Sequence, residues 1–168
     1  MNWKAGIVII AAAILFNRAS RKKRFMLGKN FALEEFTRSK KANELGISNN
    51  PGPIEIANLT ALVTNVLQPL RDALQVPITV TSGYRSKMLN QAIGGATASQ
   101  HMNGQAADIV SGNNARMFNY IKNNLPFDQL IWEAGNDEQP DWVHVSYRSG
   151  GNRYKVLRYY PGQGYQDI

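Results

Sequence analysis

Apolar residues recur at three- and four-residue spacing between residues 59 and 74, which is the strongest helical pattern in the chain. The recurring positions are Leu59, Leu62, Val63, Val66, Leu67, Leu70 and Leu74. One side of the predicted helix is therefore apolar, and we expect it to pack in the core. Pro69 lies inside the pattern and has no backbone N–H, so it should kink or divide the helix.

Shorter patterns predict the remaining elements. A short helix is expected over residues 31–37, with Leu33 and Phe36 turned inward, and a loop over residues 48–53. Further helices are predicted over residues 86–93, ended by two glycines, and over residues 113–124. Strands are predicted over residues 77–81, 105–110, 129–133, 142–147 and 154–159. Helices come first and strands cluster late, which indicates an α+β fold with a small, mainly antiparallel sheet and helices packed on it.

An apolar and basic segment precedes this domain. Residues 5–16 form an unbroken apolar run, which as a helix would be about 18 Å long, short of a bilayer core of about 30 Å. Basic residues follow the run, and it has no clear small-residue cleavage site. We therefore divide the chain into residues 1–28 and a domain over residues 29–168. The segment is a membrane anchor that contacts lipid through residues 3–24, an atypical export signal, or a helix buried in an assembly such as a virus particle.

The charge of the chain is concentrated in that first segment. The net charge is +7, but residues 1–30 carry seven basic side chains and no acidic ones, and the other 12 Lys and Arg balance 12 Asp and Glu. The domain is formally neutral, so the basicity does not indicate a nucleic-acid partner. The absence of cysteine excludes disulfides, thiolate zinc sites and a cysteine nucleophile.

The two histidines of the chain both lie in unusual settings. His101 lies in a polar and glycine-rich stretch that ends on Asp108, and a turn at Gly104 would bring the two side chains together. His144 lies in the middle of the predicted strand WVHVSY. Two histidines and one carboxylate, with a fourth position open for water, are a ligand set of catalytic zinc. The alternative is two unrelated polar histidines, one exposed and one in the core with its hydrogen bonds satisfied.

Three motifs resemble those of the LAS group of zinc peptidases. Residues 99–108 fit S-x-H-x-x-G-x-A-x-D, residues 82–90 fit SGYRS…LN, and residues 141–144 fit acid-x-x-His. The motifs occur in the order found in the group, and the resemblance covers about residues 30–150. The group includes D-Ala-D-Ala carboxypeptidases, D-Ala-D-Ala dipeptidases and phage L-alanyl-D-glutamate endolysins. The chain is most similar to the small phage form.

The resemblance implies a zinc-dependent hydrolase that cuts peptide bonds in peptidoglycan stem peptides, with zinc as its cofactor. The implied zinc ligands are His101, Asp108 and His144. The implied catalytic residues are Asp141 as general base and Arg85, and the implied substrate-binding residues are Ser99, Arg85 and Tyr84. The alternative is a catalytically inactive zinc-binding domain of the same fold that acts as a cell-wall binding or virion structural module. Localisation stays open among membrane, virion and cell wall, and the sequence does not indicate an oligomeric state.

The spacing of the last motif raises a geometric question. Residues three apart do not share a face in a regular strand, so Asp141 and His144 require a bend at Pro140. Glu133, Asp137 and Glu138 lie nearby and are competing candidates for the base. Three arginines spaced along the last strands are interpreted as a solvated face, and they are Arg148, Arg153 and Arg158.

Overall fold

The computed structural model describes residues 24–168. The apolar run over residues 5–16 and most of the basic cluster lie outside the described residues, together with the predictions made for them. Within residues 24–168, no helix is long and apolar enough to cross a membrane. Leu27, at the end of the predicted first segment, is buried. The division of the chain at residue 28 stays a prediction.

Among the described residues, four α-helices precede the first strand, two more alternate with strands, and the last four strands follow one another. The α-helices are α1 (Leu33–Thr37), α2 (Lys40–Leu45), α3 (Pro53–Leu62), α4 (Gln68–Leu74), α5 (Lys87–Ala92) and α6 (Asn114–Asn124). A π-helical turn spans Val63–Leu67, and a 3-10 helix spans Gln100–Asn103. The strands are β1 (Thr79–Ser82), β2 (Ala106–Val110), β3 (Gln129–Glu133), β4 (Trp142–Ser146), β5 (Lys155–Tyr160) and β6 (Gly164–Asp167).

The six strands form one sheet in the order β1-β2-β4-β3-β5-β6. All neighbouring strands are antiparallel except β3 and β5, which are parallel. The predicted α+β fold with a small, mainly antiparallel sheet is therefore confirmed. Helix α2 and strand β6 were not expected, because each lacks an apolar stripe: α2 buries only Ala42, and three of the four residues of β6 are exposed.

The apolar stripe of residues 59–74 is buried as predicted. Pro69 divides the helix without ending it. The chain widens to the π-helical turn directly before the proline, and the backbone N–H of Gln68 bonds to the carbonyl of Val63, five residues earlier. A regular α-turn would press the proline ring against the carbonyl four residues before it, and the wider turn relieves that clash.

The two faces of the sheet have opposite characters because successive side chains on a strand alternate. One face carries buried apolar residues that pack with α6 and with the helical stretch from α3 through the π-helical turn to α4. Among them are Ile109, Leu130, Trp132, Val143 and Val145. The other face carries polar residues, and it forms the floor of a cavity. The apolar face of the sheet thus packs in the core, and the polar side chains of the same strands line the cavity on the opposite face.

Candidate functional site

The pairing of β2 with β4 brings two predicted metal ligands together. Asp108 and His144 are directly opposed in this antiparallel pair, so their side chains leave the sheet on the same face. Nδ1 of His144 lies 2.9 Å from Oδ1 of Asp108. Both residues are 8% exposed, so the contact is largely shielded from water.

His101 reaches the same point from a tight turn. It lies on the 3-10 helix, which ends at Gly104 with a φ of 66°. A Cβ on Gly104 would also lie 2.4 Å from the backbone oxygen of Glu55, so both the turn and the close approach require glycine. The turn returns the chain into β2 and places Nε2 of His101 3.3 Å from Oδ1 of Asp108. The turn that the spacing predicted at Gly104 is present.

The three side chains fit a zinc ion. Nε2 of His101 lies 3.3 Å from Nδ1 of His144, and each nitrogen lies within 3.3 Å of the same carboxylate oxygen. Ligands at about 2.0–2.1 Å from a tetrahedral zinc are separated from one another by about 3.3–3.4 Å. Nδ1 of His101 lies 2.7 Å from the carbonyl oxygen of Gly83. By donating to that oxygen, Nδ1 leaves the lone pair of Nε2 free for a metal.

The protonation states also suit a metal. Burial lowers the pKa of His101 and outweighs the opposing effect of Asp108, so the ring is neutral at neutral pH. Burial alone would raise the pKa of Asp108, but its contacts with His101 and His144 hold it below its ordinary value. A neutral imidazole beside a carboxylate is the combination that binds a metal ion without first losing a proton.

Arg85 holds the second oxygen of the same carboxylate. Its Nη2 donates to Oδ2 of Asp108 at 2.7 Å, and its Nε donates to Oγ of Ser82 at 2.9 Å. Oδ1 of Asp108 is thereby turned to the two histidines. Arg85 also lines the cavity, where it can contact a bound molecule. The contact of Arg85 with Asp108 orients a candidate metal ligand, which the motif alone did not indicate.

A cavity of about 600 Å³ lies over the three candidate ligands. Ser99 lines it, in agreement with its predicted position at the site. Tyr84 does not line it. This ring packs partly against the core and faces a second cavity, which it lines together with Ser82 and Gly83. The structure therefore does not bring Tyr84 to the metal site, and its predicted contact with substrate stays a prediction.

Glu133 is the carboxylate that the sheet brings to the cavity beside the metal site. On β3, Ile131 is directly opposed to His144, and Glu133 lies two residues further along the same face. Diagonal neighbours of this kind have Cα atoms roughly 7–8 Å apart, within reach of long side chains. Glu133 is 6% exposed and lines the cavity. Burial raises the pKa of its carboxyl group above the ordinary value.

Asp141, the predicted base, lies elsewhere. It is exposed and is not among the residues that line the cavity. Its N–H donates to the carbonyl of Glu133 at 3.0 Å, which continues the ladder between β3 and β4 instead of bending the chain. Strand alternation then turns its side chain away from the face that carries His144. The role of Asp141 stays a prediction from the motif, and the geometry favours Glu133.

The interpretation of the late arginines as a solvated face is wrong for Arg158, whereas Arg153 is exposed. Arg153 lines the cavity and is bound to the fully buried Asp128. The side chain of Arg158 is only 15% exposed and lies over the rings of Trp132 and Tyr160. Their regular spacing carried no sign of this, because a buried partner from another strand cannot be read from spacing along one strand.

Comparisons with known proteins agree with this geometry. The family model of peptidase M15 matches residues 29–146. A zinc D-Ala-D-Ala carboxypeptidase from Streptomyces albus G is 48% identical to the chain over 58 residues. That match spans 33% of this chain and only 23% of the relative. The ligand set, the family and the relative agree on zinc as the cofactor of the site.

Proposed function

The chain belongs to the peptidase M15 family, and on that premise we propose that it is a zinc peptidase that hydrolyses peptide bonds in the stem peptides of bacterial peptidoglycan. The observation that carries the proposal is the meeting of His101, Asp108 and His144 on the floor of an open cavity. The buried Glu133 on the same sheet face supplies the acid–base group that hydrolysis needs.

The residues of the site have separable tasks. His101, Asp108 and His144 hold the zinc, which when bound polarises a carbonyl group and makes water a stronger acid. Glu133 accepts the proton of the attacking water and returns it to the amine that leaves. Burial raises the pKa of the Glu133 carboxyl group, which makes its carboxylate a stronger base for this transfer.

Arg85 links metal binding to catalysis. It orients Asp108 through the bond to Oδ2, and the same guanidinium lines the cavity, where it stabilises negative charge on the carbonyl oxygen under attack. Ser99, on the same cavity wall, contacts the peptide as a second polar group. These two residues were predicted from the motifs, and their places in the cavity support the roles proposed for them.

Two bonds in the stem peptide are the first candidates for cleavage. The relative from Streptomyces albus G is called a zinc D-Ala-D-Ala carboxypeptidase, so the terminal D-Ala-D-Ala bond is one candidate. The resemblance to small phage endolysins makes the L-alanyl-D-glutamate bond the other. We place the D-Ala-D-Ala bond first, because the relative with that name shares 48% identity over the matched residues.

The test uses purified peptidoglycan, incubated with the full chain with and without a chelator, and mass spectrometry of the soluble fragments. Chelator-sensitive release of D-alanine, or of fragments with new L-alanyl or D-glutamyl ends, is expected and identifies the bond. Binding to peptidoglycan with no cleavage at any zinc concentration would contradict the proposal and support the inactive binding module instead.

A further inference from the structure

One end of the cavity is built by residues beyond the family match, which ends at residue 146. Strands β5 and β6 and the loop before them contribute Arg153, Leu157, Tyr159 and Tyr165 to the lining. The parallel pairing of β5 with β3 sets two of these beside the site, since Leu157 is paired with Ile131 and Tyr159 with Glu133. This end of the cavity is therefore formed mainly by strand β5 and residues on either side of it.

Arg153 is the charged group at this end, and a buried carboxylate holds it in place. Asp128 is 0% exposed, and its two oxygens receive Nε of Arg153 at 3.1 Å each and Nη2 at 2.5 Å. The backbone N–H of Arg153 donates to Asp128 at 3.1 Å, and Gln100 donates to it at 3.0 Å. The guanidinium is thus held along one edge by a fully buried carboxylate.

The backbone beside Arg153 is also constrained. Tyr154 has a φ of 54°, which is uncommon for a residue other than glycine. Its ring stands edge-on to Phe127, with the ring centres 5.3 Å apart. The contact of Tyr154 with Phe127 holds the start of β5 against the start of β3, directly beside Arg153.

The other edge of the guanidinium remains available. Within residues 24–168, Nη1 of Arg153 takes part in no hydrogen bond, and the side chain is 53% exposed on the cavity wall. Arg148 lies 3.5 Å from Asp128 as well, so two arginines face one carboxylate and the cluster has a net positive charge. A planar, fixed and positive group with free N–H donors matches a carboxylate.

We propose that Arg153 binds a carboxylate of the substrate and so selects peptides that carry one near the scissile bond. The proposal rests on the proposed peptidase function. Asp128 lies three residues before Ile131, which is opposed to His144. The Asp128–Arg153 pair, which is the carboxylate anchor of this proposal, therefore begins about 10 Å along the sheet from the metal site. An extended peptide covers this distance in about three residues. A stem pentapeptide with lysine at its third position offers two carboxylates, one at the C-terminus and one on the α-carbon of the D-glutamyl residue, which is linked through its side chain.

The test compares three synthetic stem pentapeptides on the zinc-loaded protein. One peptide has both carboxylates free, one has an amide at the C-terminus, and one has an amide at the D-glutamyl α-carboxylate. We expect kcat/KM to fall about 10- to 100-fold for one of the amides, as for the loss of a hydrogen-bonded charge pair, and the amide that is affected identifies the carboxylate. Equal kcat/KM for all three peptides would overturn the proposal.

Variants of the protein test whether Arg153 causes the difference in kcat/KM between the free and the amidated peptides. Arg153→Gln should remove the preference, and Arg153→Lys should keep part of it, because the charge remains while the fork of donors is lost. Arg148→Gln is the comparison variant, since Arg148 contacts the same Asp128 but does not line the cavity. It should reduce the preference less than Arg153→Gln does, because it removes a nearby charge but no donor on the cavity wall. A preference that survives in Arg153→Gln would overturn the assignment. If Arg153→Gln does not fold, the Lys variant supplies the same comparison.

A binding measurement separates this inference from the proposed function. Calorimetry with the Glu133→Gln variant reports the affinity for the free and amidated peptides without turnover. Tighter binding of the free carboxylate, removed by adding Arg153→Gln, supports the anchor even if no peptide is hydrolysed. Hydrolysis of all three peptides with no difference in affinity would leave the peptidase proposal intact and refute the anchor.

Discussion

The cavity has two charged corners, each built on a buried aspartate held by an arginine. At the metal corner, Arg85 binds one oxygen of Asp108 and leaves the other oxygen to two histidines. At the C-terminal corner, both oxygens of Asp128 are occupied by N–H donors from Arg153 and Gln100. The same pair of residue types therefore presents a carboxylate oxygen at one corner and a guanidinium at the other. What differs is how many donors saturate the aspartate, and this decides whether the corner attracts a cation or an anion.

The largest effect is expected from removing the cation-binding oxygen. Asp108→Asn keeps the shape of the side chain but replaces an anionic ligand by a neutral amide. We expect peptidase activity to fall by at least about 10³-fold, since zinc supplies the activated water. Metal content measured by mass spectrometry should fall with it, whereas Arg148→Gln should keep its zinc. Full zinc occupancy in Asp108→Asn would contradict the assignment of this residue as a ligand.

The second-largest effect is expected from replacing Glu133, the proposed general base beside the metal corner. Glu133→Gln should lower kcat by about 10²- to 10⁴-fold with zinc retained, because the proton transfer is lost while the ligands remain. Asp141→Asn is the matched control and should stay close to the original activity, since its side chain is exposed outside the cavity. The opposite pattern, with Asp141→Asn inactive and Glu133→Gln active, would return the role of base to the residue that the motif predicted.

The third effect concerns the stability of the C-terminal corner. Asp128→Asn should lower the free energy of unfolding by about 1–3 kcal/mol, the range for losing hydrogen bonds to a buried charged group. Thermal or denaturant unfolding measures this change, and Arg148→Gln should cost less because its contact is longer and more exposed. An unchanged free energy of unfolding in Asp128→Asn would show that the stability of this corner does not depend on the charge of the Asp128 carboxylate.

The pH dependence of that stability has a definite sign. Burial alone would raise the pKa of Asp128, but its bonds with Arg153 and Gln100 more than offset burial and place the pKa below the ordinary value. The carboxylate therefore stabilises the fold above the unfolded pKa of about 3.9, and this contribution is lost as the pH falls through the lower, folded pKa. The gap in unfolding free energy between the original chain and Asp128→Asn should narrow below about pH 4.

The smallest effect is expected at Gly94, which shares its backbone conformation with Gly104. Gly104 and Gly94 have φ values of 66° and 69°, but a Cβ on Gly104 meets the backbone of Glu55 and a Cβ on Gly94 meets nothing within 4 Å. Gly94→Ala should cost about 1–2 kcal/mol for the left-handed conformation alone. Gly104→Ala should cost more and also weaken zinc binding, because the turn that carries His101 must shift. Equal unfolding free energies and zinc affinities would show that the approach to Glu55 has no consequence.

Much of the fold was readable from local patterns. The apolar stripe, helices α1, α5 and α6 and five of the six strands follow from periodicity, since each is a property of neighbouring residues. The order of three motifs predicted the resemblance to zinc peptidases, which the family match confirms. Strand β6 escaped prediction because its residues are mostly exposed and have no apolar alternation.

Local sequence patterns were sufficient for the α+β class, the buried apolar stripe of residues 59–74, the family and the three side chains suited to zinc. The carboxylate beside the candidate metal site and the arginine at the far end of the cavity are known only from the folded chain. The reason is the register of the sheet: pairing β3 with β4 turns Glu133 toward the face of His144 and leaves Asp141 outside. Pairing β3 with β5 likewise brings Arg153 to Asp128. Register depends on contacts between distant residues, so no pattern along one strand contains it.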